Sequence, residues 1–228
     1  MAFPDETLVA SGRYVPAQAG EVNPLTEEAW SIHALADETH RIRVQTPVQS
    51  TTLWAALTPE SYRVTRCHII RDTWDAVYDF KTDGVDVDYA RVNYAPDQQP
   101  RQQRTIPLAP GYFVYPGGIF GNGFQFARVE RQRQKTTVFS PAVHEPSLGF
   151  IYEVEYRTFV FKAVRQEVIA VEDKRITATV YESDNDQGYK EVYWVDAYDV
   201  VVQHEETGRG RHKKIVLLDY QRPTGVTS

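Results

Sequence analysis

The stretch that decides the fold runs from Phe150 to Tyr220. Within it, Ile151 to Phe161 (IYEVEYRTFVF), Val168 to Val171, Arg175 to Tyr181 (RITATVY), Glu191 to Asp196 (EVYWVD), Tyr198 to Glu205 (YDVVVQHE) and Lys214 to Tyr220 (KIVLLDY) follow one another. Each alternates apolar and polar residues or is rich in β-branched and aromatic ones, and turn residues separate them. This is the pattern of a β-meander.

Working back from there, the same signals recur. Arg41 to Thr46 alternates and stops before Pro47, and Tyr62 to Arg71 reads as a further strand. Ala76 to Lys81 and Val85 to Tyr94 flank Asp83-Gly84, a dipeptide that favours a tight hairpin turn. Tyr112 to Tyr115, Phe124 to Arg131 and Thr136 to Phe139 add short strands, for about eleven in all. The first sixty residues are the least periodic. Asn23-Pro24-Leu25-Thr26-Glu27-Glu28 has a capping residue, a first-turn proline and acids, so it predicts a short helix, with Trp30 to Leu35 as an edge strand in the alternative. Thr58-Pro59-Glu60-Ser61 predicts one helical turn or a type I turn. Ala95 to Arg104 (APDQQPRQQR) is polar and proline-punctuated, and reads as a loop.

The expected fold is therefore all-β and mainly antiparallel, a large curved sheet or lipocalin-like barrel, with one or two short helices near the N-terminus. Residues 1–228 are expected to form a single domain, since all-β domains of this length are ordinary. So many strands need their edges managed, and closure or strong curvature does that. A curved sheet encloses space, and unfilled space is a pocket.

Composition narrows the function. The net charge of -6 argues against a nucleic-acid partner, which would need cationic groups against the phosphates. One cysteine, Cys67, allows no intrachain disulfide and reads as a small core residue. No window approaches about 18 consecutive apolar residues, so no membrane-spanning helix is expected. The N-terminus MAFPDETLVASG lacks a basic segment followed by an apolar one, and the expectation is a cytoplasmic protein.

No motif brings a cofactor or metal with it. The glycines of Gly111 to Gly123 (GYFVYPGGIFGNG) precede an alternating segment rather than a helix start, so they do not make a phosphate loop. They predict a wide aromatic-bearing turn or a loop rimming a cavity. Asp83, Asp86 and Asp88 lack the glycine and terminal acid of a calcium loop. Among the histidines, His33, His40, His68, His144, His204 and His212, no two have the spacing of a helical zinc motif. Tyr62, Val64, Arg66, His68 and Ile70 are expected to share one strand face. Arg101, Arg104, Arg128, Arg131, Arg133 and Lys135 form a basic cluster that the pleat splits, with Arg128 on the face opposite Arg131, Arg133 and Lys135; it reads as a solvated edge, and in the sharper reading as an anchor for a carboxylate or phosphate head group at a barrel mouth.

The closing residues Glu191-Val192-Tyr193-Trp194-Val195-Asp196, Tyr198 to Glu205 and Ile215-Val216-Leu217-Leu218-Asp219-Tyr220 resemble the end of bacterial curved-sheet proteins of the lipoprotein-carrier-like and DUF3108-like kind. The resemblance covers roughly the last 40 residues. It implies a half-barrel that holds an apolar or amphipathic ligand against its concave face.

Taken together, the leading expectation is a protein that binds a small apolar or amphipathic molecule. The candidate lining residues are Trp54, Trp74, Tyr78, Tyr112, Phe126, Tyr156, Tyr193 and Trp194, with His68 and Arg128 as polar contacts. A second reading is a metal- and nucleotide-independent isomerase, cyclase or lyase acting through His68, Asp72, Arg66 or Glu153 turned inward. A third is a structural protein that forms a homodimer through exposed aromatic strands.

Overall fold

In the computed structural model, residues 6–17, 27–58, 61–71, 74–91, 101–115, 117–118, 136–141, 152–157, 161–184, 190–208 and 210–222 are described. Eight strands come first: β1 (Glu6–Pro16), β2 (Glu28–Leu35), β3 (His40–Thr46), β4 (Gln49–Thr58), β5 (Ser61–Arg71), β6 (Trp74–Phe80), β7 (Gly84–Arg91) and β8 (Arg101–Pro107). Three short ones follow, β9 (Phe113–Val114), β10 (Thr136–Ser140) and β11 (Glu153–Arg157). The chain then forms β12 (Phe161–Val171), β13 (Lys174–Asp184), β14 (Lys190–Val195), β15 (Val201–Gly208) and β16 (Arg211–Gln221).

Thirteen of these make one antiparallel sheet in the order β12-β13-β14-β15-β16-β1-β2-β3-β4-β5-β6-β7-β8, and β11-β10-β9 make a second. The chain thus starts in the middle of the large sheet and winds outward to β8. It crosses through the small sheet, begins again at the opposite edge, and winds inward until β16 pairs with β1, Tyr14 opposite Leu217. The sheet is open rather than a closed barrel, since β8 and β12 are its two edges.

The last five strands curl back on themselves. The Glu172-Asp173 turn joins β12 to β13, and in a flat sheet it would lie roughly 19 Å from β16. Instead Asp219 donates its backbone N–H to Glu172 Oε2 at 3.1 Å, and the Lys174 ammonium donates to the Tyr220 carbonyl. The meander has therefore curled back on itself. As a result both of its faces contribute buried residues: Val180 and Trp194 share one cross-strand row, while Tyr181, Tyr193, His204 and Ile215 share the other.

Over β1 to β7 only one face is apolar. Ala10 and Tyr14, Trp30 and Ile32, Ile42, Leu53 and Ala55, Val64, Cys67 and Ile69, Trp74, Ala76, Tyr78 and Phe80, and Val85, Val87 and Tyr89 form a continuous core. The small sheet packs on this inner face. Phe139 of β10 meets Tyr78 and Phe80 edge-on at centroid distances of 6.0 and 5.7 Å, and stacks on Tyr152 at 5.4 Å.

Close packing at the sheet's centre requires glycine at position 12. A Cβ there would lie 2.7 Å from Leu217 Cδ1 and 2.9 Å from Trp30 Cζ2. The leucine methyl can rotate away, but the indole is held by Tyr14 at 6.2 Å and Tyr220 at 6.2 Å. Gly12→Ala is expected to cost about 1–3 kcal/mol through overpacking, measured by denaturant unfolding; a neutral result would show that Trp30 can shift freely.

Several expectations need correction. Residues 23–26 lie outside the described residues, as do 59–60, but Glu28–Leu35 is a strand between β1 and β3, not part of a helix or a sheet edge. No helix is seen in the N-terminal part among the described residues. β1 and β4 were not legible as strands, and Arg101 to Arg104, expected as the end of the Ala95 to Arg104 loop, belong to edge strand β8. Ile151 to Phe161 is not one strand: Glu153–Arg157 belongs to the small sheet and Phe161 begins β12. Finally, the β4–β5 register shifts between the Trp54–Arg66 and Ala55–Val64 pairs, so Thr65 is an extra residue. That bulge puts Val64 in the core while Arg66 is exposed, and the five residues expected on one face are divided between two.

Candidate functional site

The sequence-predicted residues that are described do not converge. Trp74 and Tyr78 are 2% and 0% exposed and belong to the core against which the small sheet packs. Tyr193 is buried and stacks on His204, with ring centroids 4.3 Å apart and planes at 17°. Trp194 points through the opposite face, where its Nε1–H donates to Glu167 Oε2 at 2.7 Å. Successive strand residues cannot line one space, and these two do not. The backbone of Tyr156 pairs with Thr137 in the small sheet. Phe126, Arg128 and Asp72 lie outside the described residues.

Trp54 and His68 lie on the outer, polar face. Arg41, Trp54, Arg66, Asp79, Asp86 and Thr105 succeed one another across β3 to β8 in one row. Trp54 carries the guanidiniums of Arg41 and Arg66 at 5.3 and 5.7 Å from its ring centroid, a cation–π arrangement. His68 Nε2 lies 2.8 Å from Asp75 Oδ1. Nearby, Glu6 takes both nitrogens of Arg43 at 2.8 and 2.9 Å, and one from Arg41. The Arg43 hydrogen bonds outweigh burial and hold the Glu6 carboxyl below its ordinary range.

The acids further along this face are similarly occupied. A shallow cleft of about 360 Å³ is lined by Asp79, Asp86, Val87, Asp88, Gln103, Arg104 and Thr105. Within it, Asp86 accepts from Thr105 at 2.8 Å and pairs with Lys81, and Asp88 accepts from Arg101 at 2.8 Å. These bonds hold both carboxyls below their usual range. Acids held ionised in this way are poor proton donors or acceptors near neutrality. Among the described residues no group of three or more His, Cys, Asp or Glu side chains is placed to hold a metal ion.

A different place brings aromatic and cationic groups together. At one end of the large sheet, the start of β5 (Tyr62, Arg63, Val64), the β6–β7 turn (Lys81, Thr82) and the segment Gly111 to Val114 enclose a cleft of about 230 Å³. Gly111 has φ +83°, a left-handed conformation that lets the chain turn into the cleft wall. The Tyr112 hydroxyl lies 2.7 Å from the Lys81 carbonyl and 3.0 Å from that of Gly84, and can donate to either, fixing the wall to the β6–β7 turn. Opposite, Phe113 and Tyr62 approach with centroids 6.1 Å apart. The small sheet anchors the far end, where Tyr115 donates its N–H to the Phe139 carbonyl at 2.9 Å.

The electrostatics of the cleft are simple. Arg63 is exposed at its mouth, and Lys81 pairs with Asp86 beside it. Burial raises the Tyr112 phenol, and the Arg63 charge partly opposes this. No carboxylate, imidazole or thiol is among the lining residues. Such a site can hold an apolar body against aromatic rings and an anion against a guanidinium.

Of these residues only Tyr112 was a candidate in the sequence, although the Gly111 to Gly123 segment was readable as a cavity rim. Arg63 and Lys81 come from the β4–β5 and β6–β7 hairpins, some way along the chain from Tyr112, and each looks like an ordinary solvated strand-end charge. No family model, curated protein or solved structure matches this chain.

Proposed function

We propose that this protein binds a small amphipathic anion, with its apolar part between Tyr62, Tyr112 and Phe113 and its charged head at Arg63. The observation that carries this reading is the cleft itself, which joins aromatic walls to an exposed guanidinium and has no carboxylate, imidazole or thiol among its described lining residues. Its size favours a ligand smaller than a typical drug molecule, for which pockets of roughly 300–1,000 Å³ are usual. The concave face of the large sheet is the less favoured place, because Phe139 and Tyr152 pack against its aromatic residues.

Binding over catalysis is favoured because His68 and Arg66 stand on the polar face, paired with Asp75 and Asp79. The test uses octanoate and phenyl phosphate as probes, with octanol and phenol as neutral counterparts, followed by NMR of the aromatic ring protons. The anions are expected to shift the Tyr62 and Phe113 rings, and Arg63→Ala to weaken their binding about twofold to fivefold, the worth of one exposed charge-assisted contact. The neutral probes should be indifferent to that change. Ring signals that ignore every probe, or anion binding unaffected by Arg63→Ala, would overturn the proposal.

A further inference from the structure

The two edges of the large sheet are built differently. β8 reads Arg-Gln-Gln-Arg-Thr-Ile-Pro, buries only Ile106 and ends in proline. Charge, short length and proline are the usual means by which a soluble sheet keeps its edge from pairing. β12 is charged as well, at Lys162, Arg165 and Glu167, and has a bulge at Val164, but it is neither short nor proline-ended. It is eleven residues long, FKAVRQEVIAV, and β13 is its only ladder partner among the described residues. It also carries Val164 and Val168, 39% and 56% exposed, two of the five large apolar side chains at the described surface.

The strand is self-complementary when reversed. If two copies lie antiparallel with Gln166 opposite Gln166, Arg165 of one stands opposite Glu167 of the other, and Val168 opposite Val164. Moving the axis by one residue sets Arg165 against Arg165, or Glu167 against Glu167, which is destabilising across a strand pair. Arg165 already bonds Glu182 at 3.1 Å and its own Glu167. The second copy would extend these pairs into a closed network of alternating charge. The extra residue at Val164, where the β12–β13 register shifts, would end the regular pairing there.

We propose that β12 is a homodimerisation edge, pairing antiparallel with β12 of a second copy about a two-fold axis at Gln166, so that one continuous sheet runs through both. An edge contact of this kind contributes main-chain hydrogen bonds more than buried area, so a weak, concentration-dependent dimer is expected.

Sedimentation of the full chain over a concentration series tests this. The wild type should pass from monomer to dimer, and Val168→Lys, a change at an exposed position, should raise the dimer dissociation constant at least about tenfold, the effect of 1.4 kcal/mol. Circular dichroism should remain that of the wild type. A Gln166→Cys variant should form an intermolecular disulfide under mild oxidation, because residues facing each other across strands lie within bridging distance. Lys162→Cys, which lies off the axis, should not, and Cys67 is buried and does not compete. A wild type that stays monomeric overturns the proposal; if its β12 amides are also protected from exchange, the edge is covered by the chain's own residues. A dimer indifferent to Val168→Lys, or a Gln166→Cys variant that does not cross-link, overturns it as well.

Discussion

Replacing Phe139 by alanine should cost about 3–5 kcal/mol, the usual range for truncating a fully buried aromatic ring, a large share of the roughly 5–15 kcal/mol that holds a domain folded. The ring is 0% exposed and touches three others: Tyr78 and Phe80 of the large sheet edge-on, and Tyr152, just before β11, face-on. Each aromatic pair adds about 0.5–1.5 kcal/mol beyond burial. Phe139 also lies on the middle strand of the small sheet, opposite Val154 of β11 and Val114 of β9, so the cavity would open where the two sheets meet. Denaturant unfolding measures the loss, and hydrogen exchange should show β10 opening before β6. A loss under about 1 kcal/mol would mean that the small sheet contributes little to stability.

Acidification should destabilise the fold through His204 well before the carboxylates titrate. Its imidazole is 5% exposed and stacked on Tyr193, and neither ring nitrogen has a hydrogen-bond partner among the described residues. Burial, with a smaller contribution from the Lys213 charge, pushes its pKa down to about 3 from an ordinary 6.5. Below pH 6.5 the unfolded chain binds a proton that the folded chain refuses. Stability is therefore fully present above about pH 6.5 and falls as the pH drops towards about 3, by on the order of 3–5 kcal/mol.

Other groups modify this profile without reversing it. Glu6, whose carboxyl lies below its ordinary range, adds to the loss at the acidic end. Asp196 opposes it, because burial raises its pKa and protonation then favours the folded state, even though it accepts from Tyr220 at 2.7 Å and from the Tyr198 and Val200 amides at 2.8 and 3.0 Å. His204→Phe keeps the stack on Tyr193 and removes both orphan nitrogens. That variant should be more stable than the wild type at neutral pH by about 1–3 kcal/mol, and the difference should widen towards pH 5. Parallel stability curves for the two proteins between about pH 7 and pH 4 would refute the role of His204.

Much of the strand pattern was legible because alternation is a local property. The hairpin at Asp83-Gly84, the strand from Tyr62 and the meander from β12 to β16 follow from residues within a few positions of one another. β1 was missed because it is central and interrupted. A bulge at Val9 turns Glu6 and Leu8 to the side opposite Ala10, and Gly12 and Pro16 dilute its strand propensity. β8 was missed because an edge strand carries the polar, proline-ended composition of a loop. The candidate site was less legible. Trp74, Tyr78 and Tyr193 have the residue types of a ligand pocket and the burial of a core, and composition alone does not distinguish the two.

What the sequence determined by itself is the element type and much of the ordering: antiparallel strands in meanders, a buried Cys67, and an aromatic-rich inner face over β5 to β7. Those follow from side-chain alternation and turn chemistry, which act over two to ten residues. Only the tertiary structure decided that the first and last strands are neighbours and that the sheet stays open at β8 and β12. It also decided that Arg63 and Lys81 meet Tyr112 and Phe113 at one cleft. These depend on long-range strand pairing, on single-residue bulges that reverse the faces of a strand, and on the small sheet packing over the aromatic face, none of which leaves a local periodic signature.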